Sequence, residues 1–224
     1  MDELLTQMKR CALFQNIPEP VLKEKILPMG KVQDLPKDGT LIRDREKVDH
    51  FSLLISGRLH TLHSFEDGTY SIFHVLRPGG VAGVDLLWTG SRVAPYFVAA
   101  AEPSRVLNFP VSLVEDFLEP QWRYRVMENA LRIISQENMR REYRLAILSR
   151  KGLRERILTY LSMQAARRRT ATFSIPFSRE ELASYLCVNR SAMCHEMSLM
   201  QQEGLIEFRK KEFKLCSWEH TEIS

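Results

Sequence analysis

The sequence has no long apolar run and few cysteines. No stretch reaches the ~20 apolar residues of a membrane-spanning helix, and the first residues show no signal-peptide pattern, so neither feature is predicted. The four cysteines, Cys11, Cys187, Cys194 and Cys216, are scattered and form no C-x-x-C pair. This spacing favours reduced, partly buried thiols.

Patterns typical of enzymes are missing too. The sequence has no P-loop, no nucleophile elbow and no paired carboxylates at a catalytic spacing. A metal site on a strand needs His-x-His, because alternate residues point to one side. The spacing His60-x-x-His63 sends the two rings to opposite faces. We therefore predict no enzyme, no metal site and no bound cofactor.

The composition is that of a globular protein with unevenly distributed charge. The chain has 224 residues, of which 44% are hydrophobic and 27% charged, which is material for one or two domains. Up to Leu148 there are 19 Lys and Arg against 19 Asp and Glu, whereas from Ser149 onward there are 13 against 9. The net charge of +4 therefore lies in the last third, where it favours an anionic partner such as nucleic acid. A solvated basic face is the alternative.

The first half of the chain changes from a helical to a β-rich pattern. Residues 1–29 are predicted to be helical, with a break at two prolines. From Gly30 to Phe109, short β-rich runs alternate with turn signals at even intervals, which predicts an antiparallel sandwich or barrel. Helical periods return at 111–148, so we predict an α+β fold.

A stripe spaced by three and four residues runs along the helix predicted at 111–148. It consists of Met127, Leu131, Ile134, Asn138, Arg141, Leu145 and Leu148. Such spacing favours a coiled-coil seam between two subunits, although a helix packed on its own β-domain has the same spacing. The polar pair Asn138 and Arg141 could fix the register or face a ligand. The helix is predicted to end near 149–152, a candidate hinge.

Residues 178–206 predict two short helices joined by a tight turn. Ser178 and Glu181 form a capping box that begins the first helix. The turn falls at Cys187-Val188, Asn189 caps the second helix, and Gly204 ends it. This is the layout of a helix-turn-helix, which places its second helix in the major groove of duplex DNA.

The second helix is predicted to have an apolar inward face and polar residues near its N-terminal end. Its inward face consists of Ala192, Met193, Met197 and Met200. Arg190 could form two hydrogen bonds to a guanine edge, and Ser191 and His195 could contact bases or phosphates. A helical hairpin that binds protein is the alternative. Residues 207–215 alternate apolar and charged side chains around a basic tip, which predicts a β-hairpin wing.

The motif Ala183-x-x-Leu186-x-Val188-x-Arg190, followed by Glu203-Gly204-Leu205-Ile206, resembles the DNA-binding end of the CRP/FNR transcription regulators. The order of the other elements resembles that family over nearly the whole chain. The resemblance implies that Arg179 and Asn189 contact phosphates and that Arg190, Ser191 and His195 read bases. A glutamate usually stands at the place of Ser191 and an arginine often at that of His195, so the operator sequence does not follow.

The resemblance also implies a division into three segments. Residues 1–110 would form a cyclic-nucleotide-binding-like jelly-roll sensor, 111–149 a long central dimerisation helix and 150–224 a winged helix-turn-helix. The expected dimer contacts are Met127, Leu131, Ile134, Leu145 and Leu148. The implied partners are duplex DNA with an inverted-repeat operator, a second copy of the chain and RNA polymerase, in the cytoplasm of a bacterium.

The effector site departs from the family pattern. Relatives that bind cyclic nucleotides place a glutamate on the ribose and an Arg-Ser pair on the cyclic phosphate, whereas Val84, Ala94 and Pro95 stand at those places here. Loss of the arginine removes a bidentate donor and its charge. We therefore predict an unidentified small-molecule effector, other than cyclic AMP, between the barrel and the long helix. The candidate effector residues are Gly83, Trp88, Tyr96 and Asn138.

Other sensor chemistries find less support. An iron–sulfur sensor of the FNR kind needs several cysteines near the N-terminus, and only Cys11 lies there. The candidate axial ligands of a haem gas sensor are His60, His63 and His74. A haem sensor, a thiol switch through Cys187 or Cys194, and an effector-independent DNA-binding protein with a vestigial sensor stay open as alternatives.

Overall fold

The computed structural model describes residues 2–64 and 70–216, in two compact units that divide the chain at Asn138 and Met139. The first unit begins with short helical segments, as predicted for residues 1–29. They are α1 (Asp2–Arg10), a 3-10 turn (Ala12–Phe14), α2 (Glu19–Val21), a π turn (Leu22–Ile26) and a second 3-10 turn (Leu27–Met29).

Among the described residues of the first unit, eight strands follow and form two antiparallel sheets. They are β1 (Lys31–Leu35), β2 (Thr40–Ile42), β3 (His50–Ser56), β4 (Leu59–Ser64), β5 (Tyr70–Leu76), β6 (Val81–Ala82), β7 (Phe97–Ala100) and β8 (Ser104–Pro110). One sheet has the order β1-β8-β3-β6 and the other β2-β7-β4-β5. Apart from the β4–β5 hairpin, successive strands lie in different sheets, which confirms the predicted jelly roll.

Aromatic rings attach the N-terminal segment to the first sheet. Phe109 on β8 stacks on Phe51 of β3, and Phe14 meets it edge-on, with ring centroids 5.4 Å apart in both pairs. All three side chains are buried. Such pairs contribute about 0.5–1.5 kcal/mol beyond the area they bury. The short helices are therefore part of the core of the β-domain.

A π turn (Leu113–Phe117) leads into α3 (Pro120–Leu148), the helix predicted at 111–148. Asn129 on α3 is buried, and its Nδ2 donates to the carbonyls of Leu13 and Gln15 at 3.0 and 2.9 Å. This polar side chain thereby satisfies two carbonyls of the N-terminal segment. Among the described residues, no helix, α3 included, is long and apolar enough to cross a membrane.

The second unit consists of helices and a small antiparallel sheet. After the last turns of α3 come α4 (Leu153–Arg168), β9 (Thr172–Ser174), α5 (Arg179–Tyr185), α6 (Arg190–Gln202), β10 (Ile206–Arg209) and β11 (Glu212–Leu215). The strand order is β10-β11-β9. α5 and α6 are the two predicted short helices, and the β10–β11 hairpin is the predicted wing.

Candidate functional site

The start of α5 is fixed by the predicted capping box. The Oγ of Ser178 accepts the Glu181 N–H at 3.2 Å, and the Glu181 carboxylate accepts the Ser178 N–H at 2.6 Å. The acidic side chain of Glu181 is buried, and the hydrogen bond that it accepts makes this burial tolerable. The capping box therefore sets where the helix-turn-helix begins.

The turn between the helices falls at Cys187-Val188, as predicted. Cys187 has a φ of +54°, in the left-handed region that favours glycine. Two hydrogen bonds close the turn, from the Cys187 N–H to Ser184 O at 3.2 Å and from the Val188 N–H to Ala183 O at 3.0 Å. The turn therefore holds a non-glycine residue in a strained conformation.

Asn189 caps α6, which confirms the predicted N-cap. Its Oδ1 accepts the N–H groups of Ser191 and Ala192 at 2.8 and 3.2 Å. The side-chain oxygen is thus engaged with the helix, and the amide Nδ2 is the donor through which a phosphate contact could be made.

α6 has a buried apolar face and exposed polar residues near its N-terminal end. Met193, Met197 and Met200 are fully buried. Ala192 is exposed, so its predicted place on the inward face is wrong. The reason is geometric, because one residue along a helix turns the side chain by about 100° away from the stripe that spacings of three and four define. Arg190, Ser191 and His195 are exposed, as their predicted contacts with DNA require.

Arg154 on α4 forms hydrogen bonds that attach α6 to α4. Its Nε donates to Glu196 at 2.5 Å, and Nη1 and Nη2 donate to the two oxygens of Glu203 at 2.7 and 2.8 Å. These hydrogen bonds, first those to Glu203 and then that to Glu196, raise the pKa of Arg154 above its ordinary value. The bidentate contact with Glu203 and the single bond to Glu196 attach the C-terminal end and the middle of α6 to α4.

Arg144, in the last turns of α3, contacts the helix-turn-helix at the end of α5 and at the turn. Its Nε donates to Tyr185 O at 3.0 Å, its Nη2 lies 3.6 Å from the Cys187 sulfur, and its guanidinium lies 4.9 Å from the Tyr185 ring centre. The side chain is buried, and this burial lowers the pKa of Arg144. Sequence reasoning missed Arg144 and Arg154, because no motif marks either residue.

Arg179 begins α5, at the place where the resemblance implies a phosphate contact. Its Nη2 donates to Lys210 O in the wing at 2.6 Å, and its guanidinium lies over the rings of Phe208 and Phe213. Burial lowers the pKa of Arg179. The side chain is thus packed against the wing in this structure, and a contact with DNA stays a prediction.

The residues predicted to stand at the cyclic-nucleotide places are apolar. Val84 and Ala94 are buried, and Pro95 is exposed. Neither Val84 nor Ala94 can donate a hydrogen bond to a phosphate or accept one from a ribose through its side chain. Asp85, which follows Val84 in the sequence, accepts a hydrogen bond from the Tyr96 hydroxyl at 2.5 Å. The side chains of Val84 and Ala94 therefore lack the polar groups that the resemblance places there.

The four candidate effector residues have different environments. Gly83 and Tyr96 are buried, Asn138 is exposed, and Trp88 is 45% exposed. Of the four, only Trp88 lines the open cleft of about 320 Å³ that the described part of the first unit contains at this loop. That cleft is lined by Lys47, Leu87, Trp88, Thr89, Gly90, Arg92 and Glu115. The four residues are therefore not gathered around this cleft.

The histidines and cysteines offer little for a metal. The His63 ring lies 4.0 Å from the Phe73 ring, and His74 Nδ1 lies 3.6 Å from Glu137. Within residues 2–64 and 70–216, no three His, Cys, Asp or Glu side chains are grouped as metal ligands. Burial raises the pKa of the Cys11 thiol to about 11, whereas Cys187 is exposed.

The predicted dimer seam on α3 is largely exposed. Leu131 and Leu145 are 65% and 61% exposed, Met127 is also exposed, and Ile134 and Leu148 are half-buried. Large apolar side chains in water are a feature of surfaces that another chain covers. The seam therefore stays available as the predicted contact with a second copy.

Comparison with known proteins identifies both parts of the chain. A cyclic nucleotide-binding domain family matches residues 32–121, and a Crp-like helix-turn-helix domain family matches residues 155–220. The transcriptional activator protein FnrA of Stutzerimonas stutzeri is 28% identical over 210 residues, which cover 91% of this chain and 83% of the relative.

Two solved structures share the fold. FixK2 from Bradyrhizobium japonicum aligns with a TM-score of 0.62 and 19% identity, over 83% of this chain and 92% of its own. The c-di-GMP-responsive regulator CLP from Xanthomonas campestris aligns with a TM-score of 0.67 and 14% identity, over 86% and 96%. These two structures show the fold, whereas the two domain matches and the relatives show that the chain belongs to the CRP/FNR family of DNA-binding transcription regulators, which are not enzymes.

Proposed function

We propose that the protein acts as a homodimer that reads an inverted-repeat operator in duplex DNA through α6. The observation that carries the proposal concerns α6, whose apolar face is fully buried while the polar residues near its N-terminal end are exposed. Arg190 reads a guanine edge, Ser191 and His195 contact bases, and Asn189 contacts a phosphate. Polar side chains at the N-terminal end of a second helix are what a major-groove reader needs.

The domain roles follow from the same proposal. Residues 1–110 serve as the sensor, 111–149 as the dimerisation helix and 150–224 as the DNA-binding domain. Dimerisation covers the exposed seam of α3, because each large apolar side chain gains about 1.5–3 kcal/mol when it is fully buried. A twofold dimer then matches the two halves of an inverted repeat. The site of action is the bacterial cytoplasm, with RNA polymerase as a further partner.

The effector is a small molecule other than cyclic AMP. Val84 and Ala94 leave the places for the ribose and the cyclic phosphate without polar side chains. An anion buried there would lack the donors that offset its loss of hydration. The effector acts by shifting the population toward dimers whose recognition helices fit adjacent major grooves.

The same apolar residues favour a second candidate function. A sensor domain without polar ligand contacts is compatible with a regulator that acts by its cellular amount rather than by a ligand. Such a protein has the same operator affinity with and without metabolites, whereas a switch does not.

The proposal is tested by selecting genomic fragments with the purified protein at physiological salt. We expect an enriched inverted repeat, and we expect added cyclic AMP to leave the enriched set unchanged. A metabolite extract distinguishes the two candidates, because only a switch enriches more strongly in its presence. An Arg190→Ala variant should lose about 1–3 kcal/mol of discrimination at one base position. Equal weakening on random DNA would show that Arg190 contacts only phosphate.

A further inference from the structure

Arg179 is built into the wing of the DNA-binding unit. Phe208 and Phe213 face each other across β10 and β11, and their rings stack with centroids 5.8 Å apart. The guanidinium of Arg179 lies 4.9 Å from one ring centre and 4.8 Å from the other. Its Nη2 donates to Lys210 O at 2.6 Å. The side chain therefore makes two cation–π contacts and a charged hydrogen bond with one hairpin.

The turn of the wing consists of Lys210 and Lys211, and the main-chain carbonyls of both accept hydrogen bonds that hold it in place. Lys210 O accepts from Arg179, and Lys211 O accepts from the Ile175 N–H at 2.8 Å. Lys210 has a φ of +52°, which costs a non-glycine residue about 1 kcal/mol or more. A strained two-residue turn persists when its surroundings hold it, and the two carbonyl contacts do so here.

The tip that these contacts hold is strongly basic. Arg209, Lys210 and Lys211 are consecutive, and the first two are exposed. Glu207, on the same hairpin, is engaged by Lys214 at 2.9 Å and is therefore partly neutralised. Glu212 lies opposite Arg209 in the hairpin, so Lys210 and Lys211 carry the net positive charge of the tip, the kind of charge that binds a DNA phosphate backbone.

We propose that Arg179 is a positioning residue for the wing, and that it adds to DNA affinity by presenting Lys210 and Lys211 to phosphates rather than by contacting a phosphate itself. The proposal rests on the proposed binding of duplex DNA. The guanidinium offers a planar group that covers two rings and donates in a fixed direction. A lysine has the same charge but cannot make these contacts together.

A double-mutant cycle tests the proposal through the salt dependence of DNA binding. The probe is a labelled random-sequence duplex, titrated with the full-length protein over a range of salt concentrations. The variants are Arg179→Ala, Arg179→Lys, the Lys210→Ala/Lys211→Ala double variant, and the combination of Arg179→Ala with both lysine changes. Arg45→Ala, which removes an exposed cation of the first unit, is the charge-matched control.

Each lost phosphate contact lowers the salt slope by about 0.9. Because the proposed dimer carries each change twice, we expect the lysine double variant to lower the slope by up to about 3.6 and Arg179→Ala and Arg179→Lys to lower it similarly. Arg179→Ala should add little once the lysines are gone. If Arg179→Ala lowered the slope by about 1.8 both with and without the two lysines, and Arg179→Lys restored it, Arg179 would contact phosphate and the proposal would be overturned.

Hydrogen exchange of the wing amides separates this result from misfolding and from failure of the DNA-binding proposal. We expect Arg179→Ala and Arg179→Lys to speed exchange in 206–215 while α4 and α6 keep their protection. Unchanged exchange in the wing would overturn the positioning role. If the unaltered protein binds no duplex at all, the DNA-binding proposal fails, while the exchange result still reports on Arg179.

Discussion

Arg144 Nε donates to the main-chain carbonyl of Tyr185 at 3.0 Å, while its guanidinium lies over the ring of the same residue. One side chain thus holds both the backbone and the ring at the C-terminal end of α5. The carbonyls at a helix end have no partner within the helix, so an outside donor stabilises the end of α5. We expect this contact to help position the turn that follows.

Replacement of Arg144 by methionine should destabilise the second unit. The loss of a charged hydrogen bond and a cation–π contact is expected to lower the free energy of unfolding by about 2–4 kcal/mol. Urea unfolding followed by circular dichroism measures the change. Lys151→Met, which removes an exposed cation, should change the free energy by less than about 0.5 kcal/mol. Coincident curves for the two variants would contradict the importance of the contact.

Replacement of Cys187 by glycine should stabilise the turn. Glycine adopts a φ of +54° without the clash of a Cβ atom, so we expect a gain of about 0.5–1 kcal/mol after the entropy of the unfolded glycine is deducted. Cys187→Ala keeps the Cβ and should bring no gain. Thermal unfolding of both variants checks this, and equal midpoints would show that the turn is not strained.

Two substitutions at Asn189 separate its cap from its contact with DNA. Asn189→Ala removes the acceptor and should cost about 1 kcal/mol of stability. Asn189→Asp keeps an oxygen for the Ser191 and Ala192 N–H groups, so its stability should be unchanged, but its charge should repel phosphate. We expect weaker binding of duplex DNA by the aspartate variant, measured by fluorescence anisotropy. Undiminished affinity would place Asn189 away from the phosphates.

A lysine at Leu131 should disrupt the dimer without unfolding the chain. Because Leu131 is largely exposed in one chain, its loss costs little in the monomer. In a twofold dimer it is buried twice, so the dimer should lose about 3 kcal/mol, roughly a hundredfold in Kd. Analytical ultracentrifugation measures the shift. Gln136→Lys adds the same charge at an exposed place off the seam and should leave the dimer intact.

The thiol of Cys11 should be protected and should carry a pH dependence. A thiol reagent should label Cys187 and Cys216 in the native protein, and Cys11 only after unfolding. Burial raises the pKa of Cys11 from 9.0 to about 11. Below pH 9 the thiol is neutral in both states. Between pH 9 and 11 the unfolded chain loses the proton first, so the free energy of unfolding falls by up to about 1.4 kcal/mol per pH unit.

Comparison with Cys11→Ala isolates that contribution, because the other groups that titrate above pH 9 are shared. The two proteins should differ in the pH dependence of unfolding only above pH 9. Parallel profiles up to pH 11 would mean that the thiol is not shielded.

The sequence predicted those features that depend on neighbours along the chain. The capping box of Ser178 and Glu181 and the cap at Asn189 are local, since three residues or fewer separate donor from acceptor, and both were confirmed. The strand pattern and the wing were predicted because turns recur at short intervals. Ala192 was misplaced because the stripe of α6 is narrower than the predicted face.

Contacts between distant parts of the chain could not be predicted in this way. Arg144 and Tyr185 are 41 positions apart, Arg154 and Glu203 are 49 apart, and Arg179 and Lys210 are 31 apart. From the sequence alone, none of these arginines differs from an ordinary exposed arginine of a helix. Only the folded arrangement shows which arginine is held in place and by what.

The buried methionine face of α6 affects how a regulator of this kind can acquire new DNA targets. Met193, Met197 and Met200 fill the interior with unbranched side chains, which adapt to small displacements without leaving a void. A core of this kind tolerates a shift or a slight rotation of the helix when a residue on its exposed side is exchanged. Selection can therefore alter the DNA-facing side chains one at a time, with little repacking behind them.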